Sequence, residues 1–159
     1  MATQSVIAHF SIKTPLLALL KERIDSTSAS ADLDSAAQLR GLFSTASAAR
    51  VQAAVEDALA HGATIAAGRF SVEGNVVQPL LLQNVTPACK IYRDEMFGPV
   101  FSLLEFETEE EAIEIANDND YGLAAAVFSR DTERAYGIAR EIDAGMIHVN
   151  GASESNRSS

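Results

Sequence analysis

The second half of the chain alternates between two apolar patterns, and this alternation constrains the fold more than any other feature. Three short apolar runs each predict a strand: 100–106, 123–128 and 146–149. Between them, apolar residues recur at helical spacing after Thr108 and after Ser129 or Asp131, which are suitable N-caps. Alternating strands and helices are joined by right-handed crossovers into a mostly parallel sheet. The sequence therefore predicts an α/β fold: an open, mostly parallel sheet with flanking helices.

Two further helices are predicted in the first half. Thr14 and Pro15 suit the start of the first helix, because threonine caps the backbone and proline is tolerated at the first helical position. The second helix is expected over 46–61 and ends at Gly62. Between the two helices, segment 26–37 is rich in Ser, Ala and Asp without any period, which indicates a loop.

Two more strands are predicted at 64–67 and 76–82, where short apolar runs are separated by glycine-containing turns. No composition shift or repeat divides the chain, and its length suits one domain. We therefore expect a single truncated domain over 1–150, followed by a polar C-terminal tail over 151–159.

The charge of the chain argues against two classes of partner. The formal net charge is −10, so that most of the surface repels a nucleic acid or an anionic membrane. No apolar run is long enough to span a bilayer. A single cysteine, Cys89, cannot form an internal disulfide, which favours a reducing compartment, the cytoplasm. No residues have the spacing of metal ligands, and no metal site is predicted.

Three blocks in the second half occur in a specific order. They are DEMFGPV at 94–100, YGLAAAVFSRD at 121–131 and AGMIHVN at 144–150. In content, order and spacing they resemble the aldehyde dehydrogenase superfamily, whose E-x-F-G-P-V motif matches the first block. The resemblance is strong over 47–150 and weak over 1–43. It implies that the chain corresponds to part of the catalytic domain of that family.

The resemblance implies roles for two residues of the first block. In the family, the glutamate at the position of Glu95 holds the hydroxyls of the nicotinamide ribose, and the phenylalanine at the position of Phe97 packs near the nicotinamide. The nucleotide-binding domain, the nucleophilic cysteine and the general-base glutamate of the family have no counterpart in the 159 residues. We therefore expect no cofactor, and Glu95 and Phe97 are at most vestigial contacts; a solvated carboxylate and a core phenylalanine are the favoured interpretations.

His148 stands where the family often has an aromatic residue. It lies near the end of the last predicted strand, and open α/β sheets bind ligands at the carboxyl ends of their strands. A histidine there could transfer protons near neutral pH, with Glu95 or Asp94 as its charge partner. The alternative is a partly buried, hydrogen-bonded histidine. For Cys89, beside Lys90, an ordinary surface or packed cysteine is favoured over a substitute nucleophile.

Three functions remain open at this point. The favoured one is a non-oxidative small-molecule enzyme, a cyclase, isomerase or lyase, whose cleft at the strand ends is lined by Glu95, Phe97 and His148. Such a protein would be a pseudoenzyme with respect to NAD(P)-dependent aldehyde oxidation. The others are a non-catalytic binding or regulatory module, and a truncated remnant that pairs with a full-length homologue. We also expect a homodimer, because a catalytic half without its nucleotide-binding half exposes apolar surface.

Overall fold

A computed structural model describes residues 3–30, 37 and 39–151. The strands are β1 (Ser5–His9), β2 (Ala29–Ser30), β3 (Leu39–Arg40), β4 (Thr64–Gly68), β5 (Val72–Glu73), β6 (Val76–Val77), β7 (Leu80–Gln83), β8 (Val100–Phe106), β9 (Ala125–Val127) and β10 (Ile147–Val149). The helices are α1 (Phe10–Asp25), α2 (Thr45–Ala60), α3 (Lys90–Arg93), α4 (Glu109–Asn117) and α5 (Thr132–Ala139). The predicted class, α/β with mostly parallel strands, is confirmed.

The largest sheet has four strands in the order β1-β8-β7-β4. Strands β7 and β8 run parallel, with Leu80 opposite Val100, whereas β4 runs antiparallel to β7. Leu80, Leu81 and Leu82 are each at most 1% exposed. A continuous apolar run is what a central strand needs when both of its faces are covered.

Helix α1 covers one face of this sheet. Its residue Ile24 joins a buried cluster with one residue from each of the four strands: Ala8, Ala67, Leu81 and Leu103. Helix α2 buries a single stripe at helical spacing, which includes Val51, Val55 and Ala58. The Ser44 side chain caps α2 by accepting a hydrogen bond from the backbone N–H of Ser47 at 3.1 Å. The prediction of this second helix is therefore confirmed.

The first helix begins at Phe10 and not at Thr14, so this part of the sequence-based prediction is wrong. The His9 ring caps the helix, since its Nδ1 accepts a hydrogen bond from the Ser11 backbone N–H at 3.3 Å. Pro15 consequently lies inside the helix and lacks the N–H that would bond to the carbonyl of Ser11. The preceding strand β1 was not predicted, because a five-residue strand shows too little periodicity.

The strand predicted over 76–82 is in fact two strands, β6 and β7. Gln78 and Pro79 separate them, and proline has no N–H to donate to a strand ladder. The Gln78 side chain turns instead to Ala29, donating to its carbonyl at 3.0 Å and accepting from its N–H at 3.1 Å.

The alternating pattern predicted that β9 and β10 would belong to the larger sheet, but they do not extend it. They form a separate two-stranded parallel sheet with Ala125 opposite Ile147. Ala126 is exposed, and the prediction of a strand buried on both faces over 123–128 is therefore wrong. Helices α4 and α5 have the predicted caps, Thr108 and Asp131.

The chain divides after Glu105 into two compact units. The first contains the four-stranded sheet with α1, α2 and α3, and the second contains α4, β9, α5 and β10. A single domain over 1–150 stays a prediction, and most of the tail predicted over 151–159 lies outside the described residues. None of the helices in the described part of the chain is long and apolar enough to cross a membrane.

Candidate functional site

The segment between α3 and β8 carries three of the predicted site residues, Asp94, Glu95 and Phe97. Within this segment the side chain of Met96 is buried, at 2% exposure. On either side, Glu95 is half-buried and the Phe97 ring is 72% exposed. Asp94 is exposed. A buried anchor flanked by two accessible side chains is an arrangement that presents those side chains to a ligand.

Phe97 has an unusual backbone conformation for a bulky residue. Its φ is 49°, in the left-handed region that costs a non-glycine residue about 1 kcal/mol or more. The strain is not offset by burial of the ring, because the ring remains largely exposed. Strained residues with accessible side chains occur often at ligand sites, where the surrounding contacts hold them in place. The prediction that Phe97 is a core residue is therefore wrong.

Two contacts fix the backbone of this segment. The side-chain amide of Gln4 donates to the Asp94 carbonyl at 2.6 Å and accepts from the Met96 N–H at 3.1 Å. Gly98 packs closely on α2, where an added Cβ would lie 3.0 Å from Val51 Cγ2. Gln4 was not identified from the sequence, since it lies in the weakly matching first part and carries no motif.

The Glu95 carboxylate is available to accept hydrogen bonds from a ligand. Within residues 3–30, 37 and 39–151, no hydrogen bond or ion pair occupies its carboxylate. A half-buried carboxylate without a partner is suited to two neighbouring hydroxyl donors, such as those of a ribose. The accessible Phe97 ring, two residues on, offers an aromatic face to a flat heterocycle. Both side chains therefore fit the nicotinamide-ribose contacts that the sequence motif implies.

His148 lies in the middle of β10, opposite Ala126. Its ring is half-buried, and its Nε2 is buried without a hydrogen-bond partner among the described residues. The interpretation of His148 as a partly buried, hydrogen-bonded histidine agrees with the structure in its burial but not in a hydrogen bond at Nε2 among the described residues. His148 belongs to the second compact unit, whereas Asp94 and Glu95 belong to the first, and their shared catalytic site stays a prediction.

The carboxyl ends of β9 and β10 meet, as parallel strands require. Asn150, with a φ of 53°, donates its N–H to the Val127 carbonyl at 2.9 Å. Its side-chain oxygen accepts from the Ser129 N–H, also at 2.9 Å. Asn150, one residue beyond β10, is thus bonded to the last residue of β9 and to Ser129, two residues beyond β9; the ring of Phe128, between those two residues, is largely exposed.

Cys89 is packed, so that of the two ordinary settings left open by the sequence it has the buried one. It precedes α3, is 2% exposed, and its sulfur lies 3.8 Å from the Thr86 hydroxyl. A reactive thiol needs access and a group that stabilises the thiolate. Among the described residues, no cluster of three or more His, Cys, Asp or Glu side chains could hold a metal ion.

Comparisons with known proteins agree with the fold and with the motif. The sequence model of the aldehyde dehydrogenase family matches residues 1–159, which extends the resemblance through the first 43 residues. The chain therefore belongs to the aldehyde dehydrogenase family. It spans about a third of the length of the curated relatives it matches.

Two of these relatives are a vanillin dehydrogenase and a betaine aldehyde dehydrogenase. The vanillin dehydrogenase of Pseudomonas fluorescens is 36% identical over 151 residues, which are 95% of this chain and 31% of the relative. The betaine aldehyde dehydrogenase of Cereibacter sphaeroides is 42% identical over 147 residues, 91% of this chain and 30% of the relative. Both names describe oxidoreductases.

Solved structures show the same arrangement of the chain. An NADP-dependent glyceraldehyde-3-phosphate dehydrogenase from Bacillus halodurans, complexed with NADP, has a TM-score of 0.89 and 35% identity, over 98% of this chain and 32% of its own. A salicylaldehyde dehydrogenase from Pseudomonas putida, complexed with salicylaldehyde, has a TM-score of 0.88 and 29% identity, over 97% of this chain and 32% of its own.

Proposed function

We propose that this chain holds the nicotinamide-riboside end of NAD(P) as part of an aldehyde dehydrogenase. The observation that carries the proposal is the pair of side chains flanking buried Met96: a half-buried Glu95 carboxylate with no partner in the described part of the chain, and an exposed Phe97 ring on strained backbone. The related dehydrogenase solved with NADP supports the same assignment. A bound nicotinamide supplies the acceptor for the hydride that leaves the aldehyde carbon.

The residues of this chain contribute binding and orientation. The Glu95 carboxylate accepts the ribose hydroxyls, and hydrogen bonds to an ionised acceptor are about twice as strong as neutral ones. Its half-buried setting limits competition from water. The left-handed backbone at Phe97 directs the ring away from the core, so that the aromatic face can cover the nicotinamide.

The 159 residues on their own are expected to bind without turnover. Covalent oxidation of an aldehyde begins with attack by a thiolate. The single cysteine, Cys89, is buried and packed beside Thr86. We therefore propose that the isolated chain reduces no NAD(P)⁺ in the presence of an aldehyde, and that its measurable activity is nucleotide binding.

An NMR titration of the ¹⁵N-labelled chain with nicotinamide mononucleotide tests this proposal. We expect shift changes at the backbone amides around Glu95 and Phe97, and about tenfold weaker binding in Glu95→Gln, which keeps the size and removes the charge. Glu110→Gln, an exposed glutamate of α4, is the matched control and should bind as the parent does. Shift changes confined to other residues, or unchanged affinity in Glu95→Gln, would contradict the proposal.

A second candidate is a non-oxidative proton transfer with His148 as the shuttle. The observation that favours it is the buried Nε2 of His148, which no described group satisfies. Deuterium incorporation from D₂O into a panel of small carbonyl compounds, lost in His148→Phe, would support this candidate over the first. Equal incorporation in the two proteins would exclude it.

A further inference from the structure

Gln4 lies far from the motif in the sequence but is hydrogen-bonded to it in the structure. One side-chain amide makes two hydrogen bonds to the backbone on either side of Glu95: Nε2 donates to the Asp94 carbonyl and Oε1 accepts from the Met96 N–H. The two bonds fix both peptide groups that flank Glu95. From this geometry we infer that Gln4 is the positioning residue for the Glu95 carboxylate, an inference that rests on the proposed function.

The role requires a glutamine. A primary amide offers a donor and an acceptor in one plane, and here they match an adjacent carbonyl and N–H. A carboxylate at this position could accept from Met96 but would repel the Asp94 carbonyl oxygen. The Gln78 side-chain amide is used in a similar way, because it donates to the Ala29 carbonyl and accepts from the Ala29 N–H.

Gln4 also connects the segment to the four-stranded sheet. Its backbone carbonyl accepts a hydrogen bond from the Ser102 N–H in β8 at 2.9 Å. The segment is therefore held by Gln4 on one side and by buried Met96 and closely packed Gly98 on the other. Among the described residues the Glu95 carboxylate has no protein partner, and the backbone on both sides of Glu95 is hydrogen-bonded to Gln4.

Loss of the amide should act on ligand binding more than on folding. Without Gln4, the peptide groups around Glu95 can bond to water and sample other conformations, so that a smaller fraction of molecules presents the carboxylate correctly. Apparent affinity falls in proportion to that fraction. We expect about 5- to 10-fold weaker binding of a ligand that carries ribose hydroxyls.

The experiment compares Gln4→Met, which keeps the length and removes both hydrogen bonds, with Gln4→Glu, which keeps only the acceptor. Gln52→Met is the matched control, since Gln52 is also half-buried and its side chain donates a hydrogen bond to Glu56 on the same helix, α2. Each protein is titrated with nicotinamide mononucleotide and, separately, with nicotinamide, which lacks the ribose. Thermal unfolding is followed in parallel, and exchange of the Met96 amide with D₂O is measured by NMR.

The expected result is weaker binding of the mononucleotide in both Gln4 variants, little change for nicotinamide, and an unchanged control. Equal loss for both ligands would indicate a general structural defect and overturn the inference, as would parent affinity in Gln4→Met. If the parent chain itself binds no mononucleotide, the proposed function fails. The Met96 amide then decides the positioning role: faster exchange in Gln4→Met supports it, and unchanged exchange refutes it.

Discussion

At the residue scale, two serines illustrate opposite consequences of the same hydroxyl. Ser102 lies in the centre of β8, is 1% exposed, and has no hydrogen-bond partner for its Oγ among the described residues. Ser44 caps α2 through its Oγ. A buried hydroxyl without a partner retains its desolvation cost, whereas a capping hydroxyl satisfies an N–H that the helix leaves free.

Replacing each serine by alanine should therefore change stability in different directions. Ser102→Ala is expected to leave the free energy of unfolding unchanged or to raise it by up to about 1 kcal/mol. Ser44→Ala should lower it by about 1 kcal/mol. Urea denaturation followed by circular dichroism measures both. A loss in Ser102→Ala as large as that in Ser44→Ala would mean that the Ser102 hydroxyl has a partner in solution, such as a buried water.

The residue scale also marks the limit of what the sequence could predict at the site. Glu95 and Phe97 are found from the motif, because the chemistry that they supply is local to one short segment. Gln4 is not, because its role comes from a contact between residues some ninety positions apart. Nothing in the neighbourhood of Gln4 distinguishes it from any surface glutamine. Positioning residues of this kind become visible only in three dimensions.

At the scale of elements, Asp25 links the end of α1 to the end of β4. Its carboxylate accepts from Lys21 Nζ at 2.7 Å and from the Gly68 N–H at 2.9 Å. The hydrogen bond from Lys21, followed by that from Gly68, lowers the pKa of Asp25 below its ordinary value of 3.8. A carboxyl group with a lowered folded pKa stabilises the fold above the unfolded pKa, and this contribution is lost as the pH falls through the folded value.

Asp25→Asn should therefore remove part of the acid sensitivity of the protein. We expect the thermal midpoint of the parent to exceed that of the variant near neutrality, and the gap to narrow as the pH falls below 3.8. Asp120→Asn, at an exposed aspartate of the second unit, is the control. A gap of constant size across the titration would show that Asp25 contributes through neutral packing and not through its charge.

Elements with strong local signals were predicted well, and those that depend on tertiary pairing were not. Helices α2, α4 and α5 have a capping residue followed by an apolar stripe, and both features can be recognised within a short stretch of the sequence. Strands β9 and β10 were also located. They do not join the larger sheet, because sheet membership depends on which strands pair with one another. An apolar run predicts a strand but not its pairing partner.

At the scale of the whole molecule, the distribution of apolar side chains leads to a prediction about association. Among the described residues, the large apolar side chains that are exposed are eleven: Phe10, Ile12, Leu19, Phe43, Ile65, Phe97, Tyr121, Leu123, Phe128, Tyr136 and Met146. Two of them, Ile12 and Leu19, are seven residues apart on α1 and therefore lie on one face of the helix. In its described part, the second unit has a two-stranded parallel sheet, a type of sheet that is normally covered by other structure.

We therefore propose that the 159-residue chain forms a homodimer in solution, since a second copy can cover apolar surface and two-fold pairing is the commonest solution. Light scattering coupled to gel filtration should give about twice the monomer mass of 16.9 kDa at micromolar concentrations, falling towards the monomer on dilution.

The double variant Ile12→Lys with Leu19→Lys tests the α1 face, and Glu110→Lys adds positive charge elsewhere as a control. A dimer that persists in the double variant would move the interface away from α1. A monomer mass for the parent at every concentration would contradict association altogether, and the exposed side chains would then remain in contact with water.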